Sequence, residues 1–404
     1  MIDALDCATG AVAHWLVFAE EEFVPTDAGG RVESLNLLRA AAAAGVRLHV
    51  IVPGLSTSTD AAHQAALPTA RLHGVPRRTG WGAHASVRPY VFKSRPLSSG
   101  LVQRLQATHA EDSYDAVVCI SFRVAHLGEV VAEALDLPLL VRPHNIESEY
   151  FRVLARSVRP PRNLPYLAEG WKLRRAETAV HASSRVTLFA DISAADAERR
   201  AELTSTPVVH VPPFLPPSST TQTAVRRIGD VRTVLFLGSL DNGNNADGIR
   251  WFADNCWPVL HARCPRAKLH VVGRRAPANL RDSLERAGAT VTVDAPEVDS
   301  HLAAADIFVN PVRHGAGINI KMVEAMAAGL AVVSTSVGAR GLHWRAGEHL
   351  LVADEAAHFS ATVASLLEDA DERDRLAVAG RRFVERELDG VRQIMRLLDV
   401  LQAR

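Results

Sequence analysis

Cysteine is scarce in this sequence, and the little there is carries no chemical arrangement. The four cysteines, Cys7, Cys119, Cys256 and Cys264, form no C-x-x-C pair, so the usual spacings for zinc or a redox couple are missing. On one helix Cys256 and Cys264 would stand ~12 Å apart along the axis, beyond the ~7 Å reach of a disulfide. No apolar run approaches the roughly 18 residues that span a bilayer. The first residues, MIDALDCATG, have neither a basic segment nor an apolar core, so no secretory signal is expected. Net charge is absent as well: 45 basic residues balance 45 acidic ones, and no global field draws the chain to nucleic acid or to an anionic surface. The G-x-x-x-x-G-K-[ST] phosphate loop and a complete G-x-G-x-x-G fingerprint are also lacking. What remains is a globular protein, expected in a reducing cytoplasm.

Apolar residues make up 48% of the chain and charged residues 22%, as in ordinary globular proteins. A length of 404 residues exceeds what one hydrophobic core supports, so two domains are expected. Short apolar runs rich in β-branched residues alternate with longer amphipathic or alanine-rich stretches, which predicts parallel sheets covered by helices on both faces. The rhythm occurs twice. In the first half strands are expected at 14–19, 46–52, 115–121, 137–142 and 185–190, with a helix at Arg31–Ala44 stopped by Gly45. The segment VPPFLPPSSTTQT at 211–223 can continue neither structure and reads as a linker. Strands resume at 231–238, 267–273, 289–294, 306–311 and 330–335, with helices at 245–263 and 277–287 and a helical tail from 355. We therefore expect an α/β protein of two Rossmann-like domains, 1–213 and 214–385, facing each other across a cleft. The last segment, 386–404, either crosses back to the first domain or offers a dimer face.

The segment NPVRHGAGINIKMVEAMAAGLAVVS at 310–334 concentrates glycine and charge between two apolar runs. A strand ending at Pro311 gives way to a glycine turn and then to a helix from Ile318 to Ala328, closed by Gly329. Gly315 and Gly317 let the backbone turn with positive φ and admit a ligand close to the amides. Free N–H groups and the positive end of the helix dipole make such a turn a site for phosphate, flanked here by Arg313 and Lys321. Glu324, one turn further on, is placed to accept from a pair of ribose hydroxyls. The alternative is a surface ion pair between Lys321 and Glu324, which share one helix face.

This segment, with VLFLGSLDNGNNADGIRWFADNCWPVL, LHVVGRRAP, PTDAGGRVESLNLLRA and VRPHNIESEY in the same order, resembles the retaining nucleotide-sugar glycosyltransferases of the GT-B fold, of the glycosyltransferase family 4 kind. The resemblance spans most of the chain. It implies that Glu324 holds the ribose and that Arg313, Gly315, Gly317 and Lys321 hold the diphosphate. It implies further that Gly29 and Gly30 approach the donor and that His144, followed by Asn145, contacts the transferred sugar; the plainer readings are a tight turn and the cap of a helix. Relatives carry a glutamate at the position of Ala316, with His314 here just before the glycine turn. Relatives also carry a basic pair after the F-L-G strand, where this chain has Gly238, Ser239 and an N-G-N-N turn; Arg274 or Lys321 would supply that charge.

The implied reaction moves a sugar from a nucleoside diphosphate, UDP or GDP, to an acceptor with retention of configuration. Arg313, Lys321 and His144 are the expected catalytic residues, and no cofactor is implied. A metal-bridged diphosphate with its Asp-x-Asp triplet belongs to the other major glycosyltransferase fold, and no essential divalent cation is expected. The acceptor is a glycan, a lipid-linked molecule or a small molecule. Residues 61–110 hold seven basic and no acidic residues, interleaved with Trp81, Tyr90 and Phe92, which suits an anionic acceptor, the inner membrane surface, or simply a solvated loop. A homodimer is a further expectation. Two other readings stand beside this one: a non-catalytic nucleotide-sugar-binding subunit, and a nucleotide-sugar epimerase.

Overall fold

A computed structural model describes residues 12–26, 29–78, 86–157, 159–214, 232–295, 297–315 and 318–402. The chain divides into two units, Met1–Pro216 with Gly390–Arg404, and Pro217–Asp389. Each is built on one parallel sheet.

The first sheet has seven strands: β1 (Ala13–Phe18), β2 (Val46–Pro53), β3 (Arg71–Val75), β4 (Ala116–Cys119), β5 (Leu139–Val141), β6 (Val186–Asp191) and β7 (Val208–His210). They lie in the order β3-β2-β1-β4-β5-β6-β7. Every residue of β1 is buried, because helices cover both faces of a parallel sheet. Alternation divides its side chains: Trp15 and Val17 join one core, Leu16 and Phe18 the other. Helix Gly29–Ala43 adds Leu35, Leu37 and Leu38 to the first of these, and the C-terminal helix Gly390–Gln402 adds Ile394, Leu397 and Leu398. Ile394, Leu397 and Leu398 of that last helix are thus consumed inside the unit.

The second sheet comprises β8 (Arg232–Ser239), β9 (Ala267–Arg274), β10 (Thr290–Val293), β11 (Ile307–Asn310), β12 (Ala331–Ser334) and β13 (Leu351–Val352), in the order β10-β9-β8-β11-β12-β13. This is the doubly wound arrangement, in which the chain leaves the central pair β8 and β11 in opposite directions.

Three strands were not expected. β3 is only partly buried, β7 has three residues and β13 two, too short for any period to show. The helix expected at 245–263 is helical throughout but not uniform, with an α segment Gly243–Trp251, a π segment Phe252–Cys256 and an α segment Trp257–Arg263.

Charged residues are also used inside the first unit. Arg142 is fully buried at the end of β5 and donates to Glu33 Oε1 from Nη2 at 2.7 Å and Nε at 3.0 Å. It donates as well to the carbonyls of Val211 and Pro212 at 2.9 and 3.0 Å, while Glu33 accepts from the Phe214 amide at 3.2 Å. One ion pair therefore ties helix Gly29–Ala43, β5 and the segment leaving the unit. Cys119, Cys256 and Cys264 are unpaired thiols.

Candidate active site

In a doubly wound sheet ligands sit beyond the carboxyl ends of the strands where the winding reverses. In the second unit that place follows β8 and β11. β8 ends at Gly238 and Ser239, and Asn242 caps helix Gly243–Trp251 by accepting from the amides of Asn244 and Asn245 at 3.0 and 3.4 Å. The N-G-N-N turn is therefore a helix start. Asn245 folds back over the strand end and donates to the Ser239 carbonyl at 3.0 Å. Gly238 makes room for it, since a Cβ there would lie 2.9 Å from Asn245 Nδ2.

Asn245 Oδ1 then accepts from Lys321 Nζ at 2.7 Å. Lys321 opens helix Ile320–Ala327, and its ammonium lies 4.4 Å from the centre of the Phe236 ring on β8. Burial lowers its pKa to about 7. Glu324 stands one turn further on, and burial, with a smaller contribution from Asp299, raises its carboxyl to about 7. Among the described residues neither group has an ion-pair partner. The surface ion pair between them is therefore not formed. Two adjacent groups of opposite charge are each held toward neutrality, as occurs where a charged ligand supplies the missing counterpart. Asn319, ahead of the helix, donates its side chain to the Gly338 carbonyl at 2.8 Å and leaves the first-turn amides uncapped by side chains.

Arg313, expected to flank the turn, is ion-paired in the free protein. Its guanidinium meets Asp247 with three contacts of 3.0 to 3.2 Å and lies 5.4 Å from the Trp251 ring. Its charge is already compensated, because Asp247 on the neighbouring helix presents both carboxylate oxygens. His314 is exposed and 3.8 Å from the same carboxylate. Gly315 adopts φ +134°, a conformation side chains rarely tolerate. Ile318 is partly buried, while Ala316 and Gly317 lie outside the described residues. Gly248 lets helix Gly243–Trp251 approach the end of β11, for a Cβ would come within 2.6 Å of the Pro311 carbonyl oxygen.

Arg274 is the register partner of Ser239, and Arg275 next to it also reaches this strand end. Arg275 donates to Asp241 at 2.6 Å and to Ser239 Oγ at 3.1 Å, because the register that pairs Ser239 with Arg274 turns the next residue toward the loop. The chain carries one Asp-x-Asp triplet, Asp369-Ala370-Asp371, so the expectation of no essential divalent cation does not rest on the triplet's absence. Asp369 caps helix Ala370–Glu387, accepting from the Glu372 amide at 2.9 Å. Among the described residues no group of three or more His, Cys, Asp or Glu side chains has the arrangement of a metal site.

In the first unit a second cluster forms beyond β1, β4 and β5. His144 follows β5, and a Cβ on Gly30 would lie 3.6 Å from its ring. Gly29 faces open space instead. Burial depresses the His144 pKa to about 4, so its ring is neutral at pH 7, and its Nε2 is buried without a hydrogen-bond partner. Nearby Arg123 bridges Glu20 at 2.8 Å and Glu147 at 3.0 Å. Burial works against ionisation of Glu20, but Arg123, His144 and Arg95 overcome it and hold the pKa at about 2. Asn145 is not a helix cap: the helix begins at Glu147, and the Asn145 carbonyl accepts from Arg200 at 3.4 Å. Asn245, Asp247, Arg275, Glu20 and Arg123 carry no sequence signal of their own. Only the asparagine-rich turn and the strand ends pointed near them.

Residues 231–369 match the glycosyl transferases group 1 family. A protein described as an uncharacterized 44.6 kDa protein in the cps region of Klebsiella pneumoniae is 24% identical over 378 residues, covering 90% of this chain and 94% of that one. Phosphatidyl-myo-inositol mannosyltransferase of Mycobacterium tuberculosis is 32% identical over 165 residues, 38% of this chain and 43% of that enzyme. Among solved structures, Anabaena HepE in complex with UDP and glucose superposes with a TM-score of 0.64 at 14% identity, covering 96% of this chain and all 100% of that one. The matched domain contains the switch point that holds Lys321, Glu324 and Gly315, and both sheets have the expected winding. The chain therefore has the GT-B fold, and the switch point of its second unit lies inside the segment, residues 231–369, that matches the glycosyl transferases group 1 family.

Proposed function

We propose that this chain transfers a sugar from a nucleoside-diphosphate donor to a hydroxyl acceptor with retention of anomeric configuration, without an essential metal ion. The observation that carries the reading is Lys321, a partly buried ammonium held by Asn245 beyond the end of β8, which among the described residues has no counter-ion and stands near a carboxyl that is likewise unpaired. A diphosphate supplies the missing anion, and the ribose hydroxyls supply donors to Glu324. That HepE was solved with UDP and glucose supports a UDP-linked sugar as the first donor to try; a GDP-linked sugar is the second.

During transfer the bond between the anomeric carbon and the diphosphate oxygen breaks, and negative charge grows on that oxygen. Lys321, the uncapped amides of helix Ile320–Ala327 and the Gly315 turn stabilise it where it develops. The acceptor oxygen bonds to the anomeric carbon on the face the diphosphate leaves, and the acceptor proton passes to the departing diphosphate. In the first unit, neutral His144 keeps its buried Nε2 without a hydrogen-bond partner among the described residues and is that unit's candidate for accepting from a hydroxyl. Arg313, neutralised by Asp247, shapes the turn rather than binding phosphate. The acceptor is of the glycan, lipid-linked or small-molecule kind.

A thermal-shift panel of UDP-, GDP-, dTDP- and ADP-sugars tests the donor, because a ligand of the native state raises the melting temperature. One nucleotide should stand out, and its shift should disappear in Lys321→Gln. Release of free sugar from the donor then distinguishes a transferase from a subunit that only binds.

A further inference from the structure

Helix Leu164–His181 is inverted relative to an ordinary surface helix. Its inward face carries Glu169, Leu173 and Glu177, all buried, while Leu164, Leu167 and Trp171 are 59%, 47% and 57% exposed. At about 100° per residue, Leu164, Leu167, Trp171, Arg174 and Arg175 fall within one arc of roughly 100°, opposite the buried glutamates. The buried charges are provided for. Glu169 accepts from the Tyr90 amide and pairs with Lys172 at 2.7 Å, and Glu177 accepts from the Ser148 amide at 3.4 Å. Leu173 and Val180 from the inner face enter the core, and the outward apolar residues are not part of that cluster.

The charge around this face is one-sided. Residues 150–175 hold seven basic residues and one acidic one, Glu169, in a chain whose total charge is zero. Among the described residues Arg156, Arg159, Arg162 and Arg174 make no ion pair. Arg175 lies 5.0 Å from the Trp171 ring. On the adjoining helix Glu147–Ser157, Tyr150 and Val153 are exposed too. An exposed apolar stripe with an aromatic residue, bordered by unpaired arginines, matches the interfacial region of an anionic bilayer: apolar side chains enter the acyl boundary and guanidinium groups meet lipid phosphates.

We propose that the outward face of helix Leu164–His181, with its arginines, docks the protein on an anionic lipid bilayer. The inference stands apart from the donor chemistry of the second unit. It is tested by co-sedimentation of the full chain with phosphatidylcholine vesicles, with and without a minor fraction of phosphatidylglycerol. The chain should bind the anionic vesicles at low salt, leave them at high salt, and ignore phosphatidylcholine alone. Leu167→Ser with Trp171→Ser should weaken binding more than tenfold, on the order of the lost apolar burial. Arg174→Gln with Arg175→Gln should weaken it about fivefold for each charge removed. Unchanged melting temperature and donor binding would show that these exposed substitutions leave the fold intact. The proposal is overturned if the wild type stays in the supernatant at low salt, or if both variants bind as well as the wild type. It is also overturned if sedimentation velocity shows a dimer that Trp171→Ser dissociates while no vesicle is bound, which would make this face an interface between copies.

Discussion

The pH dependence of donor binding gives the sharpest test of the role assigned to Lys321. In the free protein burial holds its pKa at about 7, against 10.5 for an ordinary lysine. A diphosphate favours the charged form, so binding draws the pKa back up and takes up a proton. At pH 7 about half of the free molecules carry the charge; at pH 9 about one in a hundred does. Affinity should therefore fall about fiftyfold from pH 7 to pH 9, or ~2.3 kcal/mol, for as long as the bound-state pKa stays above 9. A nucleotide sugar is the right probe, because its esterified diphosphate does not itself titrate there. Calorimetry in buffers of differing ionisation enthalpy should register uptake of about half a proton at pH 7. The stability of the free protein should move the other way: a lysine with a lowered folded pKa binds its proton more tightly when unfolded, so this group's contribution rises from pH 7 toward 10.5. Lys321→Gln should bind weakly and show neither trend. Wild-type affinity that stays flat from pH 7 to 9, with the variant binding equally well, would remove Lys321 from the donor site.

Glu324 tests the neighbouring position. Its folded pKa of about 7 against 4.5 means that its contribution to stability is present below pH 4.5 and is lost as pH rises through 7; Glu324→Gln should raise the melting temperature of ligand-free protein at pH 8 but not at pH 4.5, and Glu324→Ala should weaken donor binding at least tenfold. Gly248→Ala places a methyl group within 2.6 Å of the Pro311 carbonyl oxygen, and should cost about 1 to 3 kcal/mol in denaturant melts with weaker donor binding as the turn shifts. Arg142→Met leaves Glu33 buried without its partner and should destabilise the chain by about 3 to 5 kcal/mol, read by urea unfolding; a loss below 1 kcal/mol would mean that water replaces the guanidinium. Glu20, held at about 2, contributes stability that is present above pH 4.5 and lost as pH falls toward 2, and Glu20→Gln should flatten that part of the acid-unfolding profile.

Much of this protein is legible in one dimension because its signals are local. Short apolar runs rich in β-branched residues marked β1, β2, β4, β5, β6, β8, β9, β10, β11 and β12, and glycines 45, 288 and 329 marked turns where φ is positive. The glycine turn, Lys321 and Glu324 were visible because a strand end, a helix start and a three-residue spacing lie within one short segment. What only tertiary structure decided is which charges remain available. Arg313 and Lys321 look alike in sequence, yet Asp247, 66 positions from Arg313, neutralises one, while Asn245, 76 positions from Lys321, merely orients the other. Arg275 reaches Asp241 and Ser239 only through the fold of its turn, and Gly30 meets His144 although β4 lies between the strands they follow. That the leucines and tryptophan of helix Leu164–His181 face outward is also decided by packing, because periodicity gives a face but not its direction. Electrostatic compensation and burial depend on neighbours that the chain brings together only on folding, so sequence named the candidates and packing chose among them.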